Sequence, residues 1–157
     1  MIMKSLSGGS MLIFSTKGKI TPADDKTNIV HKFTVPENTV ILKIKYQYSP
    51  KTLQDREKAV NIIHACFDRY EEILQGRPAD FLPVKNLVTL SLDCMGEYRG
   101  TAHRQDNIQE HIIAPDFASP GFIKAPVRAG EWDVVLNVHS VSCDVEYSIN
   151  IEGETVQ

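Results

Sequence analysis

The chain contains five histidines, and their spacing limits the chemistry that they could support. They are His31, His64, His103, His111 and His139. No HExxH or HxH pattern occurs, and no cysteine–histidine grouping has zinc spacing, so the sequence contains no established metal motif. We expect His31 to lie at the core edge, bonded to the backbone, and His64 and His139 to lie on the surface. The other two histidines flank a polar segment.

That polar segment, from Gly100 to His111, is predicted to be a loop and is the best candidate for a binding site. The candidate binding residues are Tyr98, His103, Arg104, Gln109 and His111. Loops on rigid scaffolds commonly carry binding residues. A guanidinium such as that of Arg104 offers five fixed donors to an anionic or hydroxyl-rich ligand. The alternative is that these side chains tie a long loop to a sheet edge, because the backbone groups of a covering loop need partners.

The other reactive side chains form no complete catalytic set. The acidic pairs Asp24-Asp25 and Glu71-Glu72 do not belong to a DxDxDG-type calcium loop. Ser119 lies in Ser-Pro-Gly, whereas a nucleophile elbow requires GxSxG between a strand and a helix. We therefore predict no catalytic residue, no metal ligand and no cofactor.

Composition and charge disfavour several classes of protein. The 157 residues carry a formal net charge of −3 and contain no basic run, which disfavours partners such as nucleic acid or anionic lipid. No apolar run approaches the ~18 residues that a membrane-spanning helix needs. The cysteines number three and include no CxxC pair, which is typical of a reduced, cytoplasmic protein.

Alternation of apolar and polar residues predicts most of the secondary structure. Strands are predicted over residues 11–20 (weakly), 28–35, 39–48, 86–93 and 109–114, followed by two more near the C-terminus. Inward-facing core residues are predicted to be Leu42, Leu90, Trp132, Leu136, Tyr147 and Ile149. About seven short strands separated by turn residues indicate an antiparallel sandwich. A parallel βαβ fold is disfavoured because only one helix interrupts the strands.

The single helix is predicted over residues 53–75, where apolar residues recur at spacings of three and four. Its apolar stripe comprises Val60, Ile63, Phe67, Tyr70 and Leu74. Thr52 with Asp55 three residues later resembles a capping box at the start of the helix. The stripe either packs on the sandwich or forms a dimer interface, and the sequence leaves both open.

Three segments carry a resemblance to a known family. They are HKFTVPENTVILKIKYQYSP, DREKAVNIIHACFDRY and NLVTLSLDCMGEYRGTAHRQDNIQEHIIAPDFASPGFIKAPVRAGEWDVVLNVHSV, the last followed by CDVEYSINIEG. Over residues 18–153 the chain resembles the N-terminal β-sandwich domain of CehA/McbA-type metallohydrolases, members of the PHP (polymerase and histidinol phosphatase) superfamily. In that family the metal-binding residues belong to a separate downstream barrel, and none of its catalytic motifs matches a position here. The resemblance implies a fold and an accessory role rather than an activity.

The predicted fold is a mainly β, antiparallel sandwich of the jelly-roll or prepeptidase-C-terminal-like type with one inserted amphipathic helix. Residues 1–17 are predicted to be a flexible lead-in or an edge strand, and residues 18–153 a single domain. The predicted function is that of a non-catalytic binding or accessory module; the alternative is a metal-dependent hydrolase using His103 and His111. Predicted partners are a second copy of the chain or a separately encoded PHP-type enzyme.

Overall fold

The computed structural model describes residues 9–70, 77 and 81–156 and contains two packed β-sheets. The strands are β1 (Ser10–Ile20), β2 (Asn28–Val35), β3 (Thr39–Ser49), β4 (Leu87–Cys94), β5 (Glu97–Ala102), β6 (Ile108–Ile113), β7 (Gly130–Ser140) and β8 (Val145–Thr155). A helix, α1 (Arg56–Arg69), lies between β3 and β4, and a 3₁₀ turn (Pro22–Asp24) lies between β1 and β2.

Strand order identifies the sandwich as a jelly roll. Sheet I has the order β1-β8-β3-β6 and sheet II the order β2-β7-β4-β5. The β1/β8, β2/β7, β3/β6 and β4/β5 neighbours are antiparallel. This pairing is that of an eight-stranded hairpin rolled into two facing sheets, which leaves few long edges unprotected. The predicted fold class is therefore confirmed.

The core lies between the two sheets and is built from the alternate residues of each strand. All six predicted core residues are buried: Leu42, Leu90, Trp132, Leu136, Tyr147 and Ile149. Alternation predicts these residues correctly because each strand has one face on the core and the other toward solvent. The indole Nε1–H of Trp132 donates to the Arg128 carbonyl at 2.7 Å, so this large ring is buried with its polar atom satisfied.

Strand β5 includes Gly100, although the sequence predicts a loop that starts at this residue. The apolar–polar alternation fails there because a bulge lies between Leu92 and Asp93 in the β4–β5 ladder. Gly100 is a strand residue with a φ of 121°, and a Cβ at this position would overlap the backbone of Gly121 and Phe122. A glycine is therefore required by close packing within the sheet rather than by a turn.

The helix is capped differently from the predicted arrangement. Asp55, not Thr52, is the N-cap, and its carboxylate accepts from the Lys58 backbone N–H at 3.0 Å. Asp55 is effective because its oxygens satisfy an N–H that has no partner in the first turn. Thr52 instead forms a β-bridge with Lys85. This bridge joins the chain just before the helix to the chain just before β4.

The predicted apolar stripe of the helix is only partly buried. Ile63 is buried, Val60 and Phe67 are half-buried and Tyr70 is exposed. Leu74 lies outside the described residues, as does the rest of the predicted helix beyond residue 70. The Phe67 ring packs edge-on against Phe81, with ring centroids 5.4 Å apart. Whether the stripe serves the fold or a dimer stays a prediction. In the described part of the chain, no helix is long and apolar enough to cross a membrane.

Candidate functional site

The fold separates the five predicted binding residues into an interior group and an exterior group. Gln109 and His111 lie on β6 and are buried, with exposed fractions of 4% and 1%. Tyr98 on β5 is exposed, and His103 and Arg104 follow the end of β5 on the surface. The five residues therefore do not form one site.

The interior pair holds the loop that precedes β6. The amide nitrogen of Gln109 donates to the Asp106 carbonyl at 2.6 Å and to the Arg104 carbonyl at 3.4 Å. Its amide oxygen therefore faces His111, whose Nε2–H donates to it at 2.8 Å. The His111 ring also packs against Phe122, with centroids 4.9 Å apart. These contacts give Gln109 and His111 a structural role at the sheet edge.

Burial also fixes the protonation state of His111. Desolvation, with the positive charge of Arg104 as a smaller cause, lowers the pKa of His111 below its usual value. The Nδ1 atom of His111 is buried without a hydrogen-bond partner. A proton there would create a buried N–H with nothing to accept it, so His111 is a neutral Nε2–H tautomer near pH 7.

The exterior group lies next to a groove on the outer face of sheet II. The register aligns Asn28 of β2, Asn137 of β7 and Thr89 of β4 in one row across the sheet. Because Leu90 pairs with Ala102, the following residue His103 extends this row at its β5 end. The groove, called here the sheet II groove, has a volume of about 430 Å³. It is lined by Lys26, Thr27, Asn28, Thr89, Thr101, His103, Asn137, Val138 and His139.

Hydrogen bonds within and between strands hold the groove side chains in position. The Thr89 hydroxyl on β4 lies 2.8 Å from Nε2 of His139 on β7. Cross-strand pairs of this kind fix rotamers on the surface of a sheet. The Tyr98 hydroxyl lies 2.7 Å from the hydroxyl of Thr101 within β5. The groove therefore presents an ordered set of polar groups on rigid strands.

The chemical character of the groove is polar and nearly uncharged. Thr89 and Thr101 are buried, with exposed fractions of 3% and 9%, although both lie on the outer face of the sheet. Hydroxyl, amide and imidazole groups both donate and accept hydrogen bonds. Among the residues that line the groove, Lys26 alone carries a full charge, and no carboxylate is present. Such a set suits a neutral ligand with several hydrogen-bonding groups.

A second and larger hollow lies on the outer face of sheet I. This sheet I trough has a volume of about 620 Å³ and is lined by residues that include Lys17, Lys19, Gln47, Ile108 and Glu146. Lys19 is paired with Asp144 at 2.9 Å, and both side chains are more than half exposed. Exposed ion pairs are hydrated and mobile, so this arrangement is typical of a solvated sheet face. Volume alone does not make the trough the better site.

His31 differs from its predicted environment. Its Nε2 lies 2.9 Å from the hydroxyl of Tyr147 rather than from a backbone group. This bond joins β2 to β8 and hence sheet II to sheet I. Desolvation lowers the pKa of the half-buried His31. The Tyr147 ring reaches His31 because Gly18 has no side chain; a Cβ there would overlap that ring.

Arg99 is a buried cation that sequence analysis did not single out. It is 3% exposed and lies over the Trp132 ring, with 5.0 Å between the guanidinium carbon and the ring centroid. Its terminal nitrogens donate to the Pro126 and Ala125 carbonyls, both at 3.1 Å. Arg99 thus anchors the segment before β7 to the end of the core. Its Nε has no hydrogen-bond partner, and Arg99 lines neither the sheet II groove nor the hollow on sheet I.

The geometry does not bring His103 and His111 together as metal ligands. His103 lies at the rim of the sheet II groove, whereas His111 is buried between the sheets and bonded to Gln109. Within residues 9–70, 77 and 81–156, no group of three or more His, Cys, Asp or Glu side chains could hold a metal ion. The contact between Thr89 and His139 resembles a nucleophile–base pair. In the described chain no carboxylate accepts a hydrogen bond from the His139 ring, so nothing orients His139 as a base.

Sequence analysis found His103 but missed most of the groove. Thr89, Asn137 and His139 are outward residues of alternating strands, and of these the sequence analysis predicted a surface position for His139 alone. Alternation does not reveal that β7 lies between β2 and β4, nor the register in which these strands pair. A row of polar residues becomes a site only when neighbouring strands are aligned.

Two comparisons with known proteins were negative. No family model matches the chain, and no curated protein matches it at a significant level. The resemblance to the N-terminal domain of CehA/McbA-type metallohydrolases therefore stays a prediction. Any functional proposal has to rest on the geometry of the two outer faces.

Proposed function

We propose that this protein is a non-catalytic binding module that holds a small polar ligand in the sheet II groove. The observation that carries the proposal is the burial of Thr89 and Thr101 on an outward-facing surface. A sheet face that serves only solubility presents long charged side chains to water. Here short polar side chains instead form a recessed surface between strands.

The position of the groove also supports this function. Six of its nine lining residues lie on β2, β4, β5 and β7, so their spacing is set by backbone hydrogen bonds of one sheet. The other three, Lys26, Thr27 and His103, lie just beyond the ends of β2 and β5. Sites built on strands are held more precisely than sites built on loops. The groove is therefore preorganised, which lowers the entropy lost when a ligand binds.

An accessory role is the finer part of the proposal. The resemblance implies a module that accompanies a separately encoded PHP-type enzyme; the alternative partner is a second copy of the chain. The cysteines Cys66, Cys94 and Cys143 are free thiols, which supports a cytoplasmic location. Co-purification of tagged chain from its own cells would identify such an enzyme; recovery of the chain without any hydrolase would remove the accessory role and leave the binding role standing.

A screen by NMR tests the binding role. The ¹⁵N-labelled protein is titrated with a library of sugars, amino acids, nucleosides, phosphate and zinc. We expect at least one compound to shift the amide signals of residues 26–28, 101–103 and 137–139. Asn137→Ala should weaken the binding that causes these shifts by about tenfold, whereas Gln47→Ala, which removes an exposed amide from sheet I, should leave it unchanged.

Two results would contradict the proposal. Shifts centred on the sheet I trough would move the site to the other face, and a library that shifts no groove signal would remove the site altogether. The hydrolase alternative has its own signature. Zinc would perturb His103 and His111 together, and ester hydrolysis would disappear in both His103→Ala and His111→Ala.

A further inference from the structure

We infer that the ligand of the sheet II groove is a saccharide, recognised through its ring hydroxyls. This inference rests on the proposed binding function and specifies its ligand class. It follows from the hydrogen-bonding capacity, the charge and the shape of the groove.

Hydrogen-bonding capacity is the first argument. The Thr89 and Thr101 hydroxyls, the Asn137 amide and the His103 and His139 rings can each donate and accept. Thr89 already pairs with His139, Thr101 pairs with Tyr98, and the Asn137 amide nitrogen donates to the Ser91 hydroxyl at 3.3 Å. A sugar hydroxyl both donates and accepts, so it can pair with whichever capacity each group has left. A phosphate or carboxylate only accepts, and an ammonium group only donates. Either would leave some of the groove's donors or acceptors without partners, which weakens binding.

Charge is the second argument. The exposed Lys26 is the single full charge in the lining, at the rim of the groove. Recognition of anions in proteins usually uses bidentate arginine or several cations, and the lining contains no arginine. Arg104 is exposed, lies outside the lining, and has Asp106 3.7 Å from its Nε. A neutral ligand therefore matches the groove better than an anion does.

Shape is the third argument. The volume of about 430 Å³ lies within the range of roughly 300–1,000 Å³ that is usual for small-ligand sites. Tyr98 is 54% exposed, and its hydroxyl is held 2.7 Å from that of Thr101, which lines the groove. An amphipathic tyrosine offers a flat apolar surface beside the polar groups. A pyranose ring has the same division, with C–H bonds on one face and hydroxyls at its edge.

The test titrates ¹⁵N-labelled protein with named probes that separate these features. The saccharide probes are glucose, galactose, mannose, N-acetylglucosamine and their β-linked and α-linked disaccharides. Cyclohexanol is the matched control ligand, with a ring of similar size and a single hydroxyl, and inorganic phosphate is the anion control. We expect at least one saccharide to shift the groove signals, and cyclohexanol and phosphate to bind more weakly by at least about tenfold.

Variants then assign the contacts. Asn137→Ala and His103→Ala should each raise the Kd of that saccharide on the order of tenfold, the effect expected when one hydrogen-bonding group is lost. Tyr98→Ala should raise it by a similar factor. His64→Ala, which removes an exposed histidine on α1, and Gln47→Ala should leave it unchanged. Spectra away from the groove show that each variant is folded.

The outcomes separate the ligand class from the proposed function. Binding of phosphate or cyclohexanol in the groove as tightly as any saccharide would overturn the saccharide class and keep the groove as a binding site. Saccharide binding that survives Asn137→Ala and His103→Ala would also overturn it, because the ligand would lie elsewhere. If no saccharide and no member of the wider library shifts the groove signals, both the ligand class and the proposed function fail.

Discussion

The outer faces of the two sheets share one core but differ in chemistry. Sheet I carries lysines on β1 and β3 that alternate with glutamates on β8, and two of these, Lys43 and Glu154, pair at 2.6 Å. Sheet II carries hydroxyls, amides and imidazoles at the outward positions around Asn137, and its ion pair between Lys32 and Asp133 lies farther along β2 and β7. Long charged side chains keep a face hydrated, whereas short polar side chains leave a recess. The same fold thus carries one face with long charged side chains and one face with a recess of short polar side chains.

The sheet I trough is larger than the sheet II groove, although it lies on the face with the long charged side chains. In the sheet I trough the charged groups satisfy one another or water. In the sheet II groove the hydroxyls of Thr89 and Thr101 are largely withdrawn from water before any ligand arrives. Withdrawn polar groups gain more from a ligand than hydrated ones do. The ordering of polar groups, rather than volume, therefore identifies the candidate site.

The largest effect should come from the core that both faces share. Leu42 lies under sheet I and Leu90 under sheet II, and both are fully buried. Leu42→Ala and Leu90→Ala should each lower the free energy of unfolding by roughly 2–5 kcal/mol, through lost burial and a new cavity. Urea unfolding measures this loss. A change below about 0.5 kcal/mol for either variant, as for an ordinary surface substitution, would show that its face is wrongly assigned.

A smaller effect should distinguish interior histidines from exterior ones by pH. The folded-state pKa values of His111 and His31 are lowered by burial, so the unfolded chain takes up protons first as the pH falls below about 6.5. The stability that these neutral rings provide is complete above that pH and declines below it, by at most about 1.4 kcal/mol per pH unit for each proton.

Urea unfolding near pH 7.5 and near pH 5 measures this decline. His111→Gln should reduce the loss of stability between the two pH values relative to the unsubstituted protein, and so should His31→Gln. His64→Gln on the exposed side of α1 is the matched control and should change nothing. An equal pH dependence in all four proteins would mean that His111 and His31 are not desolvated.

The smallest effect should come from the ion pairs of the solvated face. Lys43 donates to Glu154, and this hydrogen bond together with the carboxylate charge raises the pKa of Lys43. The two side chains keep 32% and 19% of their surface exposed, so solvent still screens the pair, and Lys43→Ala should lower the free energy of unfolding by less than about 1 kcal/mol at low salt and at high salt. A salt-dependent loss of stability in Lys43→Ala would show that sheet I uses its charges to hold the fold.

Sequence predicts the interior of this molecule much better than its outer faces. Alternation correctly placed Trp132, Leu136 and Tyr147 inward, because burial imposes a period of two on every strand. It failed at β5, where a bulge and the packing of Gly100 interrupt the period. The sequence also predicts that His111 and His103 belong to one site, because both flank the same polar segment. In the structure His111 lies on the inward face of β6.

The sheet II groove could not be predicted from the sequence of any single strand. Thr89 and Asn137 are far apart in sequence and become neighbours only through the register of β4 and β7. Nothing in the local pattern of either strand specifies that register before the sheet order is known. Arg99 was missed for a related reason, since its carbonyl partners lie in a segment that alternation does not describe.

The central claim is that the hydroxyls of the sheet II groove serve a ligand rather than the fold. The most direct measurement is the free energy of unfolding of Thr101→Val without any ligand. Valine has the same shape and favours strands, and Tyr98 is exposed enough for water to replace its lost partner. The control is Thr39→Val, which removes a hydroxyl that donates to the Pro36 carbonyl at 2.7 Å in the β2–β3 turn.

We expect Thr101→Val to be as stable as the unsubstituted protein or more stable, as is common when a functional polar group is replaced. Thr39→Val should lose about 1 kcal/mol, the usual contribution of one hydrogen bond. A loss of about 1 kcal/mol or more in Thr101→Val, equal to that of the control, would show that the Thr101 hydroxyl holds the fold. That result would contradict the assignment of sheet II as the binding face.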